Sequence, residues 1–301
     1  MIKISIKLFL LLPFLLFSVS GVCRDRDTLY TESFITVREG TKLYVNGDLI
    51  SASKHDAGIR NSGEIHLTGN LENRHNRLFF WSSNGYLGMT VDTANNIIVP
   101  ENSILKEETI NSPLYQKGKV FFIGKDTQYI FNTDTNAEIF FNNLYVHNHV
   151  VLKSDIRVQG KLNLKENLDL NSHTIRLFAK DTFDQWGGTG IIVGESDTSQ
   201  IIGNGEIIAF KGNYDAPLED LKTLGFELYS SRDTVSVKLT RKNNHQITSV
   251  SNGSISKTFE LFAATHMPID SVVLHYFDRD TNVNANNTAN FILHQQFAIR
   301  L

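Results

Sequence analysis

Between Asn143 and Phe178 the chain alternates apolar and polar residues in runs only three residues long. Leu144-Tyr-Val146, Val150-Val-Leu152, Ile156-Arg-Val158, Leu162-Asn-Leu164, Leu168-Asp-Leu170 and Ile175-Arg-Leu177 follow one another, separated by Asn, Asp, Gly, Ser and Lys. A period of two sends successive side chains to opposite faces of an extended strand. Strands so short and so closely spaced cannot each belong to a separate hairpin sheet. They fit the rungs of a coil in which strand, bend and strand repeat around one axis. The expectation is an all-β fold: a right-handed parallel β-helix-like solenoid, long, stiff and rich in surface.

Two earlier segments repeat one another. Lys42-Leu-Tyr-Val-Asn-Gly-Asp48 and Glu64-Ile-His-Leu-Thr-Gly-Asn70 each read as a strand closed by Gly and an Asx residue, 22 residues apart. That offset suits one turn of a solenoid. Asn61-Ser-Gly63 marks a bend between them, and looser copies follow at Gly118–Gly124, Ile191–Gly194 and Glu206–Phe210. Two irregular segments interrupt the pattern, residues 77–113 with Phe79-Phe80-Trp81, and residues 181–190 with Trp186. Insertions in a solenoid project as loops, and these aromatics either contact a partner or plug the core.

The N-terminus has a different logic. Lys3 and Lys7 precede an apolar run, Leu8 to Phe17, and small residues follow at Ser18, Ser20 and Gly21. This is the three-part layout of a secretory leader, and the run is shorter than the roughly 20 residues a spanning helix needs. Residues 1–22 are therefore expected to be removed on export, and the mature chain to hold no transmembrane span. Cys23 is the sole cysteine, so no internal disulfide can form. Its place directly after the apolar run is compatible with lipidation, although Val22 before it is larger than a lipoprotein signal prefers. A net charge of −3 without a basic tract argues against nucleic acid as a partner.

Beyond Gly212 the composition changes. Asn213 to Leu224 carries Pro217 and a small acidic cluster, and longer alternating runs follow at 226–229, 234–239, 255–262, 271–277 and 291–298. Asx-rich turns at 242–244, 252–253 and 282–287 separate them. Such runs predict a small antiparallel β-sandwich over 213–301, after a solenoid over 23–212.

Candidate chemistry is sparse. A β-helix enzyme acting on acidic polysaccharides needs carboxylates gathered on neighbouring rungs. Asp155 and Asp169 stand at turns or outward strand positions, where solvated Asp is ordinary; Asp181 and Asp184 lie beside Trp186 in a loop. Asp278, Asp280, Asn282 and Asn284 alternate oxygen-bearing side chains as a calcium loop does. Val283 and Ala289, however, replace the glycine and the bidentate glutamate of an EF-hand. His147 and His149, two apart, can share a face, with no carboxylate or cysteine beside them in sequence. No phosphate loop, nucleophile elbow or zinc-protease motif occurs. No residue is assigned as catalytic, cofactor-binding or metal-ligating, and no cofactor is expected.

The phrases Asn143-Leu-Tyr-Val, Val151 to Leu164 and Leu168 to Leu177, with Val235 to Arg241, Gly253 to Leu261 and Val272 to Asp278, resemble the repeat-rich, adhesin-like exported surface proteins of Bacteroidota. The resemblance implies a β-solenoid followed by a β-sandwich segment. It also implies a location at the cell surface, outer membrane or outside the cell, and a surface protein or glycan as partner. Members often continue into a C-terminal sorting domain for type IX secretion. Nothing resembling one precedes Ile299-Arg-Leu301, so that route is not implied with the rest. The expected role is an exported, non-enzymatic structural or adhesive module. The alternative is a carbohydrate-active β-helix enzyme or a glycan-binding module.

Overall fold

The computed structural model describes residues 27–33, 35–52, 59–74, 78–80, 90–91, 97–98, 118–133, 139–177, 190–211, 224–229, 237–243, 257–263 and 271–274. Every regular element among them is a strand. Sheet I comprises β3 (Lys42–Val45), β6 (Glu64–Leu67), β11 (Lys119–Phe122), β14 (Asn143–Val146), β17 (Lys161–Leu164) and β20 (Ile191–Val193), in that spatial order. Sheet II comprises β1 (Leu29–Thr31), β4 (Leu49–Ser51), β7 (Leu71–Asn73), β12 (Gln128–Asn132), β15 (Val150–Leu152), β18 (Leu168–Asp169) and β21 (Ile201–Ile202). Sheet III begins with β8 (Leu78–Phe80), β13 (Ile139–Phe141), β16 (Ile156–Val158), β19 (His173–Arg176) and β22 (Gly205–Lys211). A further parallel pair joins β2 (Ile35–Val37) to β5 (Ile59–Asn61).

From β11 to β22 consecutive strands fall to sheets I, II and III in strict rotation. Each strand pairs in parallel with the third strand after it, as in β11 with β14, β12 with β15 and β13 with β16. All six runs singled out between Leu144 and Leu177 supply strands of this rotation. The 22-residue repeat is the pairing register itself, since Val45 lies opposite Leu67 and Asn70 N–H donates to Asp48 Oδ1 at 2.7 Å. Part of the segment read as irregular proves regular: Leu78–Phe80 pairs in parallel with β13. Further on, β9 (Thr90–Val91) and β10 (Ile97–Ile98) form a small antiparallel pair.

The register stacks like on like. In sheet I, Val45, Leu67, Phe122, Val146 and Leu164 form one inward row, all at or below 5% exposure. Leu49, Leu71, Ile130 and Leu152 form a row in sheet II, and Ile139, Ile156, Ile175 and Ile207 one in sheet III. Burying each such side chain contributes about 1.5–3 kcal/mol.

Bends between sheets break the ladder, and Asx side chains repair it. Asn70 Oδ1 accepts from Tyr129 N–H, Asn143 Oδ1 from Lys161 N–H, Asp155 Oδ1 from Thr174 N–H and Asn167 Oδ1 from Gln200 N–H, each at 2.9 Å. Each bond satisfies a backbone donor on the next rung, which burial would otherwise orphan. The bends are also tight. A Cβ on Gly69 would come within 2.3 Å of both Gly47 backbone and Asp48 Oδ1.

After β22 the mode of pairing changes. β24 (Val237–Asn243) runs antiparallel to β22, and β25 (Lys257–Ala263) antiparallel to β24, both extending sheet III. β23 (Phe226–Tyr229) pairs antiparallel with β26 (Ser271–Leu274). Lys242 and Asn243, expected in a turn at 242–244, instead complete β24, and Asn244 lies outside the described residues. No helix among the described residues is long and apolar enough to cross a membrane.

Candidate functional site

The outer face of sheet I is the most organised surface the strands create. Lys42-Leu-Tyr-Val, Glu64-Ile-His-Leu, Lys119-Val-Phe-Phe and Asn143-Leu-Tyr-Val are the sequences of β3, β6, β11 and β14. Their second and fourth residues point towards the core, so the third faces out. In-register parallel strands place equivalent residues about 4.8 Å apart. Tyr44, His66, Phe121 and Tyr145 therefore stack, with successive ring centroids 4.6, 4.5 and 4.4 Å apart and interplanar angles of 18°, 2° and 23°. His66 and Phe121 spend both faces on neighbouring rings, and Tyr44 and Tyr145 end the row. Tyr44 is 64% exposed.

The first residues of β3, β6 and β11 form a parallel row of charge. Glu64 sits between Lys42 at 3.1 Å and Lys119 at 3.3 Å, and its Oε2 lies 3.1 Å from His66 Nε2. The hydrogen bond from Lys42 leads the causes that hold its carboxyl down at about 2; partial burial opposes the shift, and His66 and Lys119 add to it. His147 lies edge-on to Phe121 at 5.5 Å and to Tyr145 at 6.1 Å. Burial lowers its pKa, and the nearby positive charge of Lys165 lowers it further.

A second polar cluster is buried where sheet III changes mode. Arg241 on β24, 1% exposed, grips Glu195 with two hydrogen bonds of 2.8 Å, and Lys257 Nζ on β25 lies 3.8 Å from the same carboxylate. Burial alone would raise the Glu195 carboxyl. The charge and paired hydrogen bonds of Arg241 outweigh it, so the group sits below the usual carboxylate range. Asn243 Nδ2 donates to Ile201 O at 2.7 Å alongside. This cluster ties β24 and β25 to the 194–201 bend.

Of the acids considered as catalytic candidates, the two among the described residues, Asp155 and Asp169, are each engaged in a turn of their own. Asp155 accepts from Thr174 N–H and pairs with Arg176 at 2.9 Å, and Asp169 Oδ1 accepts Asn171 N–H at 2.8 Å. Both serve turns on different rungs. Asp181, Asp184, Trp81 and Trp186 lie outside the described residues, as do the 278–284 oxygen-rich segment, Cys23 and the leader. His147 faces the aromatic row, while the backbone carbonyl of His149 accepts Gln128 N–H at 3.0 Å. No group of three or more His, Cys, Asp or Glu among the described residues is placed to hold a metal. The aromatic row itself escaped the sequence reading because its members are scattered along the chain; the recurring third-position ring of each four-residue strand was the signal. No family model, curated protein or solved structure matches this chain.

Proposed function

We propose that this chain is an exported, non-enzymatic structural or adhesive module of a bacterial surface, a right-handed parallel β-solenoid followed by a β-sandwich segment over 213–301. The observation that carries the reading is the rotation of strands through three parallel sheets with stacked inward rows. Backbone groups are satisfied from rung to rung, which makes a stiff body able to present a surface at a distance. Antiparallel β23–β26 supports the sandwich: Phe226 on β23 meets Phe259 on β25 at 5.4 Å, so the two-stranded sheet packs on the extension of sheet III. Surface glycans or surface proteins are the partners this reading implies.

The second reading, a glycan-binding module or β-helix enzyme, draws on the outward row of rings, half-buried except for exposed Tyr44, and on the lysines beside it. A glycan array combined with a polysaccharide-degradation screen separates the two, run on the purified chain with and without calcium. The expected outcome is binding without turnover. Release of oligosaccharide that disappears in Asp181→Ala or Asp184→Ala would make the chain an enzyme and sink the non-enzymatic reading.

A further inference from the structure

The adhesive reading leaves the ligand open, and the inference here rests on it. We propose that the outer face of sheet I docks a linear acidic polysaccharide laid across its strands. Three features of that face point to such a polymer.

The first is periodic charge. Lys42 and Lys119 share a register position with Glu64 between them. Lys119 lies opposite Asn143, and Lys161 N–H donates to Asn143 Oδ1 across the next pair. Lysines thus recur on every second strand, at β3, β11 and β17, an interval of roughly 9.5 Å. An extended glycan turns alternate sugars to the same side. A polymer with an acidic group on alternate residues presents negative charge with a repeat of this order.

The second is the sign of the face. Lys161 and Lys165 are exposed and Glu64 is held between two lysines, while the exposed acids in the flanking turns, Glu39, Asp126 and Glu166, each adjoin an exposed cation, Arg38, Lys125 and Lys165. The outer positions of sheet II, by contrast, include Glu72 and Asp169. On sheet III, Phe140 and Arg157 are buried.

The third is the presentation of the rings. Because His66 and Phe121 are each stacked between two rings, the middle of the row offers edges rather than faces, and the edge is the positive part of an aromatic quadrupole. Such a row tolerates an anion beside it, and faces on which a neutral sugar could stack are confined to its two ends, Tyr44 and Tyr145.

Affinity electrophoresis and titration calorimetry of the purified chain test this, with polygalacturonate, dextran sulfate and neutral dextran as probes. At least one acidic polymer is expected to bind and neutral dextran not to, with affinity falling as salt rises. A preference for polygalacturonate assigns a carboxylate ligand, and a preference for dextran sulfate assigns a sulfate ester. Lys119→Gln with Lys161→Gln should weaken binding roughly tenfold at unchanged circular dichroism. Glu64→Gln should tighten it, because it removes the negative charge between two lysines; a purely structural Glu64 gives no such gain. Lys153→Gln is the control, since that ammonium sits over the Tyr129 ring away from this face. Acidic-polymer binding that survives the double substitution, or equal binding of neutral dextran, overturns the proposed face and leaves the adhesive reading standing. Failure of both acidic polymers overturns the proposal, and an empty glycan array beside it takes the glycan form of the adhesive reading down as well.

Discussion

Glu64 shows how one side chain can be placed by register and tuned by its neighbours. Parallel pairing puts it between Lys42 and Lys119, and its carboxyl is held at about 2 against an ordinary value of 4.5. A carboxyl depressed in the fold contributes stability above its unfolded pKa and loses it as pH falls through the folded one. The stability advantage of the native chain over Glu64→Gln should therefore be level near neutral pH and shrink between about 4.5 and 2. Thermal melts of both chains across that range check it; a difference independent of pH would rule the ionic account out. Lys42 was visible in the sequence as one end of a repeat, and so was Glu64. The contact of Glu64 with Lys119, 55 positions along the chain, was not.

Among the elements, the short strands were the most legible. Alternation placed β14 to β19 between Leu144 and Leu177, and a Gly-Asx pair marked the same bend on two rungs. Where composition stood in for pattern, boundaries slipped. Lys242-Asn-Asn244 looked like a turn, yet antiparallel pairing with β22 and β25 draws Lys242 and Asn243 into a strand. The attachment of β24 is specified by the buried Arg241–Glu195 pair, to which the chain contributes from either side of residue 212. Arg241→Met should destabilise the fold by about 3–5 kcal/mol, because it strips a buried carboxylate of both its arginine hydrogen bonds and leaves only Lys257 at 3.8 Å to offset the charge. Replacing Glu195 by Leu as well should recover much of that loss. A urea-unfolding cycle over the two singles and the double gives the coupling; a loss below about 1 kcal/mol in Arg241→Met would show that the pair does not hold the hairpin.

For the molecule as a whole, the open question of any stacked parallel sheet is its ends, where unpaired backbone invites another chain. Over residues 205–211, β22 is covered on one side by β24. Deleting residues 213–301 would uncover that edge and orphan Glu195, and the shortened chain should self-associate in sedimentation velocity. A soluble monomer would show that sheet III needs no such cover. Period-two alternation and Asx-Gly bends are local properties, set by backbone sterics and by which face meets water, so the all-β class and the strands of the central rungs could be read directly from residue order. The aromatic row, the lysines on alternate strands and the Arg241–Glu195 pair are not local. Each joins residues far apart in the chain, and their meeting depends on how many residues each bend absorbs before the next rung comes into register. Composition does not encode that length, and packing against the previous rung sets it.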